Sequence, residues 1–423
     1  MDKPFLKSVI VDQRKLMEDT FGTQKIIERE GLEEARGGLR HPNILLISGL
    51  RRAGKSFFSH ALVGGGRYGF INFDDERLIG FESSDFNRVL EMFYELYGDL
   101  KFLLFDEIQN VSGWELFINR LRPKYRIIVT GSNAHLLSSE LATHLTGRFL
   151  TRTVFPLSFK EFLSLNGFVP GPDSSYSTRE KGTIASFFSQ YLNQGGIFEF
   201  YKFGNEFLRN LFSSLITKDI VFRHQIKYSA ILQEFALLLI NYFTNKLSLN
   251  KIAKSLDLKS SHTVKEYLKY LEDTFLIFTV NKFSYKVKEQ FATLKKVYVV
   301  DNGFISALSH KFTEDRGSLL ENLVAIELKR RGALERFELL YWDDYRRECD
   351  FILKRSRKIF AAFQVCSGLN LKNEERKVEG LTGALEAFGL KEGLILTESE
   401  EGEMTRGHFK IKIIPVWKWL LGL

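Results

Sequence analysis

Ile44-Leu45-Leu46-Ile47-Ser48-Gly49-Leu50-Arg51-Arg52-Ala53-Gly54-Lys55-Ser56 is the stretch that decides the fold of this chain. The apolar run Ile44 to Ile47 reads as a buried strand. Gly49 to Ser56 has the spacing Gly-x-x-x-x-Gly-Lys-Ser, so a tight turn carries the chain from that strand into a helix continuing through Phe57 to Leu62. Such a turn aims successive backbone N–H groups at one point, and the helix adds the positive end of its dipole there, which makes an anion cradle. Gly49, Arg52, Ala53, Gly54, Lys55, Ser56 and Phe57 are therefore the candidate nucleotide-binding residues. Lys55 is placed to reach β- and γ-phosphates, and the Ser56 hydroxyl to reach Mg²⁺. The bland alternative is a glycine-rich turn with an incidental lysine.

A phosphate cradle that supports hydrolysis needs carboxylates at the end of another buried strand, one for the metal and one for the attacking water. Phe102-Leu103-Leu104-Phe105-Asp106-Glu107 supplies them, with Asp106 as the Mg²⁺ carboxylate and Glu107 as the group that orients or deprotonates water. A strand followed by an acidic helix cap is the alternative. Loop and acid pair in this order point to hydrolysis of ATP or GTP, with ATP and Mg²⁺ as the expected cofactors. No guanine-reading Asn-Lys-x-Asp sequence is seen, which says little about the base.

Around this stretch, Ile44 to about Phe155 alternates short apolar strands (Ile44 to Ser48, Tyr68 to Phe73, Phe102 to Asp106, Arg126 to Gly131, Phe149 to Phe155) with amphipathic helices. That alternation predicts a parallel α/β sheet. Leu6 to Arg36 reads as polar helix. Phe159 to Tyr201, broken at Gly195-Gly196, and Phe207 to Lys227 read as helices of a lid over the nucleotide. Beyond Ile231 the spacing is that of a helix-turn-helix with a wing: Leu249 to Leu256, a turn at Lys259-Ser260-Ser261, His262 to Asp273, then strands Leu276 to Val280 and Val297 to Val300. Ile252, Leu256, Val264, Leu268 and Leu271 form its expected core. Lys251, Lys254, Lys259, Lys265 and Lys269 stay outside, suited either to DNA phosphates or simply to solvent. From Leu319 the pattern is again mixed, with a helix through Leu328, strands at Glu338 to Trp342, Cys349 to Leu353, Ile359 to Cys366 and Gly393 to Thr397, and a helix at Glu375 to Phe388.

The 423 residues suffice for two or three domains with their own cores. A formal charge of +8 favours an anionic partner without requiring one. Two cysteines, Cys349 and Cys366, make no disulfide framework and no zinc pattern, and strand alternation sets Cys349 and Cys366 on faces that disfavour a bond between them. No apolar stretch is long enough to span a bilayer, and the start Met1-Asp2-Lys3 has no signal-peptide core, so the cytoplasm is the expected location.

Taken with Ile71-Asn72-Phe73-Asp74-Asp75-Glu76-Arg77, Asp106-Glu107-Ile108-Gln109, Thr130-Gly131-Ser132-Asn133 and Leu145-Thr146-Gly147-Arg148 leading into Phe155-Pro156-Leu157-Ser158-Phe159, the chain resembles prokaryotic AAA+ ATPases that carry a middle winged helix and a C-terminal restriction-endonuclease-like domain. The resemblance implies an AAA+ core over residues 1–157, a helical lid over 158–228, a winged helix over 229–310 and the endonuclease-like domain over 311–423. It implies that Ser132 or Asn133 senses the γ-phosphate, either of which could instead be a helix cap. Arg148 then looks like the arginine that neutralises transition-state charge, within one subunit or across an interface, and in the second case a homo-oligomer follows. Asp74 is a further acidic candidate or a strand-end cap, and the role of Arg51 and Arg52 stays open. In the last domain an active nuclease needs an Asp, then a carboxylate and a lysine two residues apart. Here Glu321 and Asp350 are present, but the pair reads Gln364-Val365-Cys366, so metal-dependent cleavage is not expected. Three functions follow in order: an ATP-driven remodeller of DNA, a nucleotide-controlled switch binding a protein partner, and an ATP-dependent endonuclease.

Overall fold

The computed structural model of the protein describes residues 1–23, 27–64, 66–134, 145, 147–258, 260–286, 293–309, 315–371 and 373–423. Lys259 of the expected turn and Thr146 of the expected motif lie outside them. The packing separates two compact units, Met1–Phe155 with Asp273–Phe275, and Pro156–Glu272 with Leu276–Leu423. Apart from Asp273–Phe275, the three segments expected beyond residue 157 share one unit.

In the first unit five strands, β1 (Ile44–Ser48), β2 (Tyr68–Asn72), β3 (Phe102–Asp106), β4 (Arg126–Gly131) and β5 (Phe149–Thr153), form an all-parallel sheet in the order β2-β3-β4-β1-β5. Strands covered on both faces read as continuous apolar runs, which is why β1 and β4 have every residue from Ile44 to Ser48 and from Ile127 to Gly131 buried. One face, carrying Ile44, Leu46, Leu103, Phe105, Ile127 and Val129, packs into a phenylalanine-rich core with Phe86, Phe93 and Phe117 from helices Phe86–Tyr97 and Trp114–Leu121. Phe86 and Phe117 stack with centroids 4.4 Å apart. The alternate residues turn to the other face, against helix Lys55–Val63. The N-terminal segment expected as one polar helix is two, Lys3–Thr23 and Leu32–Gly38, the first burying Leu6, Val9 and Ile10.

The second unit is built on a nine-stranded mixed sheet. Its strands are β6 (Lys246–Leu247), β7 (Ile277–Lys282), β8 (Lys295–Val299), β9 (Glu338–Asp343), β10 (Glu348–Arg355), β11 (Lys358–Val365), β12 (Glu392–Thr397), β13 (Gly402–Arg406) and β14 (Phe409–Pro415), in the order β13-β14-β12-β11-β10-β9-β7-β8-β6. Helices Leu249–Ser255 and Ser261–Asp273 precede the antiparallel pair β7–β8, with Ile252, Leu256, Val264, Leu268 and Leu271 buried and Lys251, Lys254, Lys265 and Lys269 exposed. A parallel pairing of β7 with β9 makes the sheet continuous across residue 310. Helices Phe159–Leu165, Thr178–Gln194 and Phe200–Ser214, expected as a lid, belong to this unit and pack with helices Asn302–Leu308, Arg316–Glu335 and Val416–Leu421. Among the described residues no helix is long and apolar enough to cross a membrane. Cys349 and Cys366 are free and buried.

Candidate nucleotide site

The loop leaves the carboxyl end of β1, where open α/β sheets bind their ligands. Gly49 is required by close approach: a Cβ there would lie inside the carbonyl of Val154, whose N–H continues the pairing of β5 to Ser48. The curl is then set by left-handed conformations at Arg52 (φ 69°) and Gly54 (φ 91°), after which helix Lys55–Val63 starts. Alternation of this kind turns successive N–H groups inward and makes a nest for anionic oxygens. Lys55 is buried at the helix start, its ammonium donating to Leu50 O at 3.2 Å and lying 3.6 Å from Glu107 Oε1. Phe57 is half-buried against Phe21, with ring centroids 4.8 Å apart.

The acid pair sits two strands away, at the end of β3, with β4 between. Asp106 is buried; its Oδ2 accepts from Ser56 Oγ at 2.9 Å and its Oδ1 from Thr130 Oγ1. A hydroxyl and a carboxylate this close are hard oxygen donors of the kind Mg²⁺ takes, so the residues fit the expected ion. Burial, then the neighbouring Glu107 charge, pushes Asp106 up to about 6. Glu107 goes the other way. Burial alone would raise it, but the Lys55 ammonium, with the Gln109 donor, the Arg51 charge and Ser132, holds it below the ordinary carboxylate range.

Glu107 has a left-handed backbone (φ 50°, ψ 41°) that a non-glycine residue adopts only when its surroundings fix it. Those surroundings are explicit. Its N–H donates to Thr130 Oγ1 at 3.1 Å, and its Oε2 accepts from Ser132 N at 3.2 Å, Ser132 Oγ at 3.1 Å and Gln109 Nε2. Oε1 is left facing Lys55. Ser132 therefore ends β4 as an anchor of Glu107 in this structure, and Asn133 is buried beside it. Thr130 and Gln109 are site residues that composition did not single out. Gln109 follows Glu107 by two positions in Asp106-Glu107-Ile108-Gln109, which is the only sequence signal it gives.

Arg51 pairs with Asp74 at 3.1 Å on the exposed side of the loop, and the residue capping the short helix Glu76–Leu78 is Asp75. Arg148 is not brought to the site. It is exposed and precedes Phe149, which pairs with Ile44 at the start of β1, whereas the loop leaves at Ser48, roughly 15 Å further along the strands. Within one chain Arg148 and the cradle do not meet.

In the second unit the expected nuclease positions are tied up by lysines. Lys296 Nζ lies 3.1 Å from Glu321 Oε1, 2.6 Å from Glu348 Oε1 and 3.5 Å from Asp350 Oδ1, while Lys377 Nζ lies 2.8 Å from Asp350 Oδ2. Burial alone would lower Lys296, yet Glu321, Tyr298, Asp350 and Glu348 together hold it well above its ordinary range, so it stays an ammonium. The Gln364 amide is spent on the backbone of β10, accepting from Asp350 N and donating to Glu348 O, each at 2.8 Å. Among the described residues no group of three or more His, Cys, Asp or Glu side chains is disposed to hold a metal ion.

A parallel sheet in this strand order, with a phosphate cradle after β1 and an acid pair after β3, defines a P-loop NTPase of AAA type. An AAA domain family matches residues 41–163, and two domains of unknown function, DUF8612 and DUF4143, match 187–315 and 316–419. The chain belongs to one family with an uncharacterized protein of Methanocaldococcus jannaschii, to which it is 35% identical over 400 residues covering 90% of this chain and 89% of that one. A second relative, an uncharacterized protein of Haemophilus influenzae, is 31% identical over 345 residues, 76% of this chain and 83% of its own. Among solved structures, a Walker-type ATPase of Pyrococcus abyssi is similar at a TM-score of 0.42 and 16% identity, covering 67% of this chain and 96% of that chain.

Proposed function

We propose that this chain is a Mg²⁺-dependent ATPase that couples ATP binding and turnover to binding or remodelling DNA. The observation that carries the ATPase is the wiring of one site, in which Lys55 and Ser56 reach the two acids at the end of β3, Glu107 and Asp106, and Ser132 holds Glu107 by two hydrogen bonds. In it Lys55 binds the phosphates, Ser56 and Asp106 hold the ion, and Glu107 Oε1 takes the proton of the attacking water. Mg²⁺, when present with the triphosphate, neutralises charge developing on the transferred phosphoryl. Arg148 serves a neighbouring copy, since it cannot serve its own, and the working form is then a homo-oligomer.

The DNA contact is assigned to residues 229–310. The order helix Ser229–Asn241, β6, helix Leu249–Ser255, helix Ser261–Asp273, β7, β8 is that of a winged helix, and the exposed Lys251, Lys254, Lys265 and Lys269 supply phosphate contacts. Helix Arg316–Glu335, strands β9 to β11, helix Glu374–Phe388 and β12 supply an endonuclease-like scaffold that binds without cutting, its carboxylates neutralised by Lys296 and Lys377. Exposed Glu266, between Lys265 and Lys269, dilutes the basic face and favours a nucleotide-controlled protein switch as the second reading. ATP turnover by the full chain, measured with and without duplex, branched and single-stranded DNA beside its mass in nucleotide, separates them. Stimulation of about threefold or more by DNA at low salt, fading as salt rises, supports the first; a rate indifferent to every DNA sinks it.

A further inference from the structure

Arg29 belongs to no motif in the sequence, yet its guanidinium bridges two main-chain carbonyls that frame the phosphate loop. Nη1 donates to Ala53 O at 3.0 Å and Nη2 to Phe155 O at 2.7 Å. It stands so close to the loop that a Cβ on Gly54 would be 2.8 Å from Nη1. Phe155 follows Val154, whose carbonyl presses on Gly49 at the other end of the same loop. The arginine thus closes a ring: Gly49 against Val154, Phe155 to Arg29, Arg29 to Ala53.

Peptide planarity turns this into a statement about phosphate binding. In a trans peptide the C=O and the following N–H lie in one plane and point in opposite directions, so fixing the Ala53 carbonyl on Arg29 aims the Gly54 N–H the opposite way, away from the guanidinium. That N–H belongs to the nest leading into the helix of Lys55, the part of such a loop that faces phosphate oxygens. Ala53 N–H is already committed inward to Leu50 O at 3.1 Å, so the Ala53–Gly54 peptide is the one whose rotation is set from outside the loop.

We propose that Arg29 is a positioning residue of the nucleotide site, holding the Ala53–Gly54 peptide in the orientation that presents the Gly54 N–H to the β-phosphate and tying it to the end of β5. The role needs a fork: one ammonium cannot hold two carbonyls in the directions a planar guanidinium does. The proposal rests on the nucleotide reading of the loop, and the test separates the two. Binding of Mg·ATP and Mg·ADP to the full chain is measured by calorimetry, and steady-state turnover alongside it, for wild type, Lys55→Ala, Arg29→Ala and Arg29→Lys. Arg29→Ala is expected to weaken both nucleotides about 10- to 100-fold, with kcat at saturation within about threefold of wild type, because the acids are untouched. Arg29→Lys should recover little, and millimolar guanidinium ion should restore affinity to Arg29→Ala but not to Lys55→Ala. If the wild type itself binds no nucleotide, the reading of the loop fails. If the wild type binds, Lys55→Ala does not, and folded Arg29→Ala binds normally or ignores guanidinium, the role of Arg29 fails alone. Should Arg29→Ala not fold, Arg29→Gln, whose shorter side chain lacks the two-pronged guanidinium that joins Ala53 O to Phe155 O, takes its place and the same affinity loss decides.

Discussion

Glu107→Gln is expected to bind Mg·ATP as tightly as the wild type and to turn it over at least about 100-fold more slowly, the contribution usual for a general base. The substitution keeps size and shape, and the amide oxygen can still accept from Ser132 N and Oγ where Oε2 does now. What it removes is the negative charge on Oε1. Lys55→Ala tests the other half of the pocket and should fail at binding, since its buried ammonium is the cation at the start of the phosphate-facing helix. Equilibrium nucleotide binding and single-turnover hydrolysis, run on both variants, give the two outcomes opposite signatures. Turnover persisting in Glu107→Gln would move the catalytic role to another carboxylate, and Asp106 is the wrong shape for it, closed in by Ser56 and Thr130.

This pairing of roles was legible because it depends on short, local spacings. A strand, a glycine turn and Lys55-Ser56 lie within one stretch, and Phe102 to Glu107 spells both the burial of β3 and the two acids at its end. The helices and strands around residue 260 were legible for the same reason: Val264, Leu268 and Leu271 repeat at helical spacing, and their burial follows. What the sequence hides is whatever depends on distance along the chain. Arg29 is separated from Ala53 by a helix and a strand, and nothing in its neighbours marks it. Glu107 reads as a free base until β4 brings Ser132 beside it. Lys296 and Lys377 come to Asp350 from another strand and a helix, so the missing lysine at Cys366 was visible but the ammonium groups that neutralise the carboxylates were not. Strand β13 went unread because Gly402–Arg406 is polar and exposed, an edge strand without the alternation that identifies a half-buried one, whereas Phe409, Lys410 and Ile411 of β14 do alternate and were simply not read.

Gly195→Ala is expected to remove most of the stability of the second unit. Gly195 has φ 74° and ψ −160°, a region essentially open only to glycine where a side chain costs about 1–3 kcal/mol, and its Cβ would fall inside the carboxylate of Asp301. That carboxylate cannot step aside. Its Oδ2 accepts from Gly196 N at 2.6 Å and its Oδ1 from Gly303 N at 2.9 Å, and next to it Asn302 Nδ2 holds Leu192 O and Leu319 O. Gly196 O in turn accepts from Leu157 N, and Leu157 O from the Tyr191 hydroxyl at 2.7 Å, so one buried knot joins the first helices of the unit to helices Asn302–Leu308 and Arg316–Glu335. Strain, overlap and the lost hydrogen bonds to Asp301 together come to about 4–6 kcal/mol, comparable with the whole stability of an ordinary domain. The same carboxylate gives the knot a pH signature. Burial, against the pull of the Gly196 and Gly303 N–H groups and the Arg330 charge, pushes Asp301 up to about 7. A group that holds its proton more tightly folded than unfolded stabilises most below its unfolded value and loses that contribution as pH rises through the folded one. In denaturant melts the wild type should therefore lose its margin over Asp301→Asn from about pH 4 to pH 7. Asp301→Asn should be less stable at low pH and lack that slope, because it keeps one acceptor and has no proton to lose. A margin over Asp301→Asn that instead grows across this interval would mean the carboxylate is ionised in the fold, with the two N–H donors outweighing burial.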